Sequence, residues 1–316
     1  MSARHTGTAD SAGVAGSRSA RHEAAKGSPR WRLPKGALAI AALALAGAIV
    51  FFYPATAAWL TQYDQSKVVV GLQASSVSSG QVELDEALAA AHAYNEQLVS
   101  GAMLAAGARK PVSGGGGADP EYEALLRGDA AGAMGRLRIP DIDVDLPIYH
   151  GTSDETLAQG VGHLQGTSLP VGGASQHSVL TAHRGLAEAT LFDRLDELSL
   201  GDAFQIEVFG QVLSYRVIET KVIEPENTES LYPRYGEDLV TLVTCTPLGI
   251  NSHRILVTGE RVLPTPVRDV QRAGATPDIP GVPWWALGLL GTTTVLSLYI
   301  WGSGRALATA AARPRS

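Results

Sequence analysis

The stretch LVTLVTCTPLGINSHRILVT, residues 239–258, reads as an apolar strand, a turn and a second apolar strand. Leu239 to Val243 is rich in β-branched residues and apolar on both faces, the pattern of a buried strand. Pro247 and Gly249 break it just past Cys245, the only cysteine in the chain. Arg254 opens the return strand, so a hairpin between them can bring thiol and guanidinium together. A side chain at the end of a rigid strand is held more firmly than one on a free loop, which suits a nucleophile.

Cys245 has two readings. A buried structural thiol behaves as a small hydrophobe and is the common case. A nucleophilic thiolate needs a base or a positive neighbour, so a histidine must be found. The best placed is His183 in HSVLTAHRGL (177–186). Val179 to Ala182 reads as a short buried strand and Gly185 ends it, so His183 also lies at a strand end. Other histidines compete. His5 and His22 lie in a polar head, His92 on a helical stretch, and His150, His163 and His177 in glycine-rich turns or at a strand start. His253 neighbours Arg254, but adjacent strand residues point to opposite faces; if Arg254 faces Cys245, His253 does not. Spacing alone selects none of them.

TLVTC (241–245) followed by Arg254 resembles the TLxTC…R signature of the sortases, and LTAHRG (180–185) resembles that family's histidine motif. The resemblance continues in order through GRLRIPDIDVDLPIYHG (135–151), GVGHLQGTSLPVGG (160–173) and LFDRLDEL (191–198), and so covers residues 135–262. The context CTPLGINSHR, and a hydrophobic segment after this region, are similar to class C, the pilus-building sortases. The resemblance implies a mainly β fold, an eight-stranded sortase-type β-barrel with an N-terminal helical segment and two flanking transmembrane helices. It implies a transpeptidase in which Cys245, His183 and Arg254 are catalytic. Cys245 would cleave the Thr–Gly amide of an LPxTG-type sorting signal on a pilin or other surface protein and pass the acyl group to a pilin lysine. A housekeeping sortase would use the amine of a cell-wall precursor instead.

Outward from this region the composition is uneven. Residues 1–35 carry seven Lys/Arg against two acids, and residues 302–316 three Arg and no acid, which leaves 15 basic and 29 acidic residues between them. That acidic middle argues against a nucleic-acid partner. A single cysteine excludes an internal disulfide, and with no CxxC a redox protein has little support. No Asp/Glu/His/Cys cluster shows ligand spacing for calcium or zinc, and no cofactor is expected.

Residues 1–30, rich in Ala, Gly, Ser and Arg, cannot bury enough surface to fold and are expected to be disordered. Residues 36–53 are uncharged and long enough to span a membrane, and the basic flank before them places the N-terminus in the cytoplasm. The rival is a cleaved signal peptide, since small residues follow in PATAAW (54–59). Residues 284–301 form a second uncharged run ended by Trp284, Trp285 and Trp301; the Arg-bearing tail after it places the C-terminus inside as well, and residues 60–280 outside.

The predicted domains are a head (1–35), an anchor (36–58), a helical and lid-bearing region (59–134), the catalytic barrel (135–262), a linker (263–282), a second span (283–301) and a tail (302–316). An amphipathic helix is predicted over 81–104, with Leu84, Leu88, Ala91 and Leu98 on one stripe packed against its own domain. Residues 106–118 read as a mobile glycine-rich loop. Class C sortases often carry a lid here, an Asp-Pro-aromatic motif over the active site. This chain has Asp119–Pro120, then Glu121, with Tyr122 one position late, so the possible lid of Asp119, Pro120 and Tyr122 competes with the ordinary start of a helix. Strands are predicted at 136–139, 142–149, 177–182, 204–209, 212–223, 239–245 and 253–261, with a helical stretch at 190–198. Two other functional readings stand beside the transpeptidase. One is a hydrolytic cysteine peptidase on the same scaffold; the other is a non-enzymatic membrane-tethered β-domain in which Cys245 is simply core.

Overall fold

The computed structural model describes residues 31–104, 119–128 and 132–311. The readings of residues 1–30 as a disordered head and of 106–118 as a mobile loop fall outside the described residues, as does the end of the tail. Two compact units divide the chain: residues up to 44 together with those from 294 on, and residues 45–293.

Eight strands close into a barrel in the order β1-β2-β3-β4-β7-β8-β6-β5. They are β1 Ala133–Ile139, β2 Val144–His150, β3 Val161–His163, β4 Gln176–Thr181, β5 Ala203–Val208, β6 Gln211–Ile223, β7 Asp238–Thr246 and β8 His253–Arg261. The β2–β3 and β4–β7 pairs are parallel; the rest are antiparallel. The expected eight-stranded barrel is therefore present. Alternation along each strand sends one set of side chains inward. Leu137, Ile148, Leu180, Phe204, Tyr215, Leu242 and Val257 belong to that interior cluster. The opposite faces of β4, β7 and β8 build a second, smaller cluster of Val179, Val243 and Leu256, covered by Leu231 and by Ile223 of β6.

Six α-helices lie among the described residues. α1 (Lys35–Ser78) and α6 (Trp284–Ala311) each contain a stretch long and apolar enough to cross a membrane. α2 (Gln81–Leu104) buries Leu84, Leu88, Ala91 and Asn95. Asn95 donates to Leu169 O and accepts from Leu169 N, so its amide stands in for a missing stretch of backbone pairing. α3 (Pro120–Ala124) is short, α4 (Asp154–Gln159) connects β2 to β3, and α5 (Val267–Gln271) follows β8.

Four features differ from the sequence reading. β3 is only three residues long and contains Gly162, too short to show alternation. α4 was not expected; Ser153 caps it by accepting from Thr156 N. Residues 190–198 form no α-helix, only a 3-10 turn at Leu195–Glu197. Leu191, Phe192, Leu195 and Leu198 have helical spacing but are buried in the barrel core. The segment read as a linker carries α5 and is fastened to the barrel. Ser214 Oγ donates to buried Asp269 at 2.8 Å, and Ala275 O accepts from Arg136 at 2.8 Å.

Candidate active site

β7 sets the site by its parity. Val240 and Leu242 point into the barrel, so Leu239, Thr241, Val243 and Cys245 point out. Cys245 is a free thiol, half-buried at the end of the strand. In the antiparallel β7–β8 ladder its direct partner is Arg254. Directly opposed residues share a face with their Cβ atoms about 4.5–5.5 Å apart, so the thiol and the guanidinium stem are neighbours on the outer surface. His253 pairs with Thr246 and takes the alternate direction, as its place in the sequence requires.

β4 supplies the third group. It runs parallel to β7 with Thr181 beside Val243. The pairing continues past its end: Ala182 N donates to Val243 O at 3.2 Å, and Thr244 Oγ1 donates to Ala182 O at 2.8 Å. One residue further comes His183, two positions past the last paired residue of β4 and in sequence step with the outward-facing Val179 and Thr181. Its own carbonyl accepts from Phe192 N at 3.0 Å, which turns the chain away from the strand direction at that point. Cys245 and Arg254 thus share one rung at the end of β7 and β8, and His183 follows just past the end of the neighbouring strand β4. Thr181, Val243 and Leu256 form the next row, and Val179, Thr241 and Thr258 the one after.

Polar contacts brace the site. Arg254 Nη1 donates to Asn251 O at 2.9 Å and to His253 O at 3.0 Å. Both acceptors are carbonyl oxygens, so the positive charge is held in place but not cancelled. Arg184, beside His183, donates from Nε to Asp193 O at 3.0 Å, pairs with Asp196 at 2.6 Å and reaches Thr246 Oγ1 at 3.5 Å. Gly185 has a positive φ of 75°, and a Cβ there would collide with Leu248 of the β7–β8 turn. The residue after Arg184 must therefore be small. Sequence reasoning quoted Arg184 within LTAHRG but gave it no role; its sequence neighbour was the available signal. Leu248 and Ile250 leave apolar side chains exposed on the same turn.

His163 and His150 lie on the interior side. His163 is fully buried on the interior side of β3; its Nδ1 accepts from Tyr122 Oη at 2.8 Å and its Nε2 donates to Ser168 O at 2.9 Å. Burial pushes its pKa down to about 4. His150 stacks edge-on against Tyr122, and burial also lowers its pKa. Tyr122 itself is buried in the interior cluster and accepts from Gly151 N at 3.0 Å; Asp119 accepts from Glu121 N and caps α3. Of the two readings left open for Asp119, Pro120 and Tyr122, the structure displays the helix start. Tyr122 is committed to the interior face and Cys245 to the exterior. Among the described residues no three of His, Cys, Asp and Glu cluster as metal ligands.

A family model described as the sortase domain matches residues 137–262. Among solved structures, sortase C1 of Streptococcus agalactiae in complex with MTSET is 44% identical, with 61% of this chain and 96% of that one covered at a TM-score of 0.55. Sortase C of Streptococcus pneumoniae, described in terms of catalysis and pilin substrate specificity, is 40% identical, with 62% and 96% covered at a TM-score of 0.54. Sortase D of Bacillus subtilis is 29% identical over 174 residues, 53% of this chain and 84% of its own length.

Proposed function

This chain belongs to the sortase family of cysteine transpeptidases, and we propose that Cys245, His183 and Arg254 carry its chemistry on a membrane-held barrel that joins pilin subunits. The observation that supports the site most directly is the pairing of Cys245 with Arg254 at the end of β7, beside the strand β4 whose end leads into His183. A sortase acts on surface proteins that bear a sorting signal, and the class C neighbours, one of them described with pilin specificity, favour a pilin substrate here.

In the proposed reaction the Cys245 thiolate attacks the threonine carbonyl carbon of an LPxTG-type signal. The carbonyl π electrons move to oxygen, where the Arg254 guanidinium stabilises the charge that develops. The oxyanion collapses, the C–N bond breaks, and His183 as imidazolium gives its proton to the leaving amine. A C–S thioester remains. An incoming lysine amine then attacks, neutral His183 takes its proton, and the C–S bond breaks to return the thiolate. An isopeptide bond joins the two proteins.

The domain plan follows from the same reading. Residues 36–58 and 283–301 anchor the chain, both termini lie in the cytoplasm, and the barrel 135–262 faces outward. The two apolar helices support this plan, as does the basic character of both flanks.

The test uses the full chain in detergent with an LPxTG peptide and an added lysine-bearing acceptor. Mass spectrometry should find an acyl group on Cys245 and an amide-linked product. Cleavage that yields only hydrolysis product in the presence of acceptor would favour the peptidase reading. Full activity in Cys245→Ala would falsify the assignment of the nucleophile.

A further inference from the structure

The outer face that carries Cys245 and Arg254 holds another histidine, His177, about 13 Å before the last residue of β4 by the rise of the strand. It is buried, and none of the chemistry above uses it. Its Nδ1 lies 3.1 Å from Tyr232 O and its Nε2 2.7 Å from Thr241 Oγ1; Thr241 Oγ1 lies 2.8 Å from Thr258 Oγ1. These contacts have one consistent direction. A carbonyl oxygen only accepts, so Nδ1 carries the proton and donates to Tyr232. Nε2 then accepts from the Thr241 hydroxyl, which in turn accepts from Thr258. A chain of donors runs from β8 through β7 and β4 into the crossover 224–237.

That crossover covers the floor of the site. Tyr232 follows the turn Glu229–Leu231, and Leu231 packs on the cluster of Val179, Val243 and Leu256 just beneath Cys245 and Arg254. Gln176 N also ties the crossover by donating to Glu237 O at 3.2 Å, and the other polar attachments are more exposed. Arg234 pairs with Glu219 at 2.8 Å and with Glu237 at 3.5 Å, and Gly236 N donates to Ser175 Oγ at 2.8 Å. Surface pairs of this kind hold weakly.

We propose that His177 is a positioning residue for peptide binding: its neutral imidazole fastens the crossover 224–237 over the outer face, and protonation releases it. The inference rests on the reading of that face as the substrate side. The groups that face the ring are the Tyr232 carbonyl and the charges of Arg234 and Glu237 from the crossover, with the Thr241 hydroxyl from β7. Burial disfavours the imidazolium most; the Tyr232 carbonyl and Glu237 oppose that effect, and Arg234 adds to it. As the pH falls, a second proton on Nε2 would place a cation in a buried site and reverse both threonine hydroxyls.

The experiment measures steady-state cleavage of an LPxTG peptide by the full chain in detergent across pH 5 to 8, with hydrogen exchange of residues 224–237 followed in parallel. Loss of one buried hydrogen bond should raise KM about tenfold in His177→Ala and leave kcat nearly unchanged. His177→Gln should restore most of the binding, because its amide can donate to Tyr232 and accept from Thr241. It should also abolish the rise of KM at acid pH. Exchange in 224–237 should quicken in acid, below the ordinary imidazole range, in the wild type and not in His177→Gln. Should His177→Ala fail to fold, Thr241→Val removes the donor to Nε2 and should reproduce the KM effect in weaker form. Equal KM in wild type and His177→Ala, equal defects in the alanine and glutamine variants, or unchanged acid dependence in His177→Gln would each overturn the proposal. If the peptide is no substrate at all, the proposed function fails, and the exchange data still decide whether His177 holds the crossover.

Discussion

Arg184 and Thr246 join the two strand ends of the site: the guanidinium Nη1 lies 3.5 Å from the hydroxyl, while Nη2 pairs with Asp196 at 2.6 Å. Each is the immediate neighbour of a proposed catalytic residue, His183 on one strand and Cys245 on the other. Small displacements of reacting groups are expensive, with an error of about 1 Å able to cost on the order of 100-fold in rate. We therefore expect Arg184→Ala to lower kcat about 10- to 100-fold with the thiol still present and labelled by MTSET. Single-turnover kinetics of thioester formation is the measurement. An unchanged acylation rate would remove Arg184 from the site.

Arg254 should behave differently from Arg184. If it stabilises the oxyanion, Arg254→Ala should lose about 100-fold or more in kcat/KM. Arg254→Lys should recover little, because a point charge does not reproduce a planar fork of donors. A lysine variant with near-normal activity would mean that charge alone is needed there.

Tyr122 offers a clean contrast between core and cover. Tyr122→Phe leaves His163 Nδ1 and Gly151 N without the phenol oxygen, and should cost about 1–3 kcal/mol of stability. Labelling of Cys245 by MTSET should keep its wild-type rate. Faster labelling with unchanged stability would restore a covering role to this residue.

The buried ion pair at the barrel wall should dominate stability. Arg136 meets both oxygens of Asp145 at 2.6 Å and Glu207 at 3.4 Å, and it is almost wholly buried. Arg136→Ala would strand Asp145, while Glu207 keeps Arg138 at 3.6 Å, at a cost of about 3–5 kcal/mol. Hydrogen exchange of β1 and β2 amides should accelerate accordingly. A change below about 1 kcal/mol would show the pair to be energetically idle.

Acid should loosen the barrel. His150, His163 and His177 all have folded pKa values below their ordinary one, because burial disfavours the charge. The unfolded chain therefore binds more protons. Stability is full above about pH 6.5 and declines as the pH falls, with His163 alone contributing a loss of about 3 kcal/mol by pH 4. Denaturation midpoints measured from pH 7.5 to 4 should fall steadily, and His163→Gln should flatten the curve. A midpoint that does not move over that range would contradict the burial of these rings.

Much of this architecture is legible in the chain itself, where local pattern decides. The β-branched run 239–243 broken by Pro247 reads directly as strand and turn, and the stripe of α2 reads as a packed helix. The site is legible only in part. The opposition of Cys245 and Arg254 follows from one hairpin, but His183 joins them through a parallel β4–β7 pairing that no local spacing encodes. Only the family motifs single it out. Residues 190–198 mislead because burial over a barrel end and burial on a helix face select the same apolar spacing. His177 reads in the sequence only as a histidine at a strand start; its tie to Tyr232 becomes visible only when the later turn Glu229–Leu231 is folded over it.

The outward parity of Cys245 on β7 carries a consequence for sequence change. Loss of one residue between Leu239 and Thr244 would shift the strand by half a pleat, turning the sulfur inward beside Ala182 and Ile255 without altering the strand content. Loss of two would return it to the correct side, one rung too low. Insertions and deletions here are thus sorted by odd and even, and drift of this segment is confined to exchanges that preserve its length.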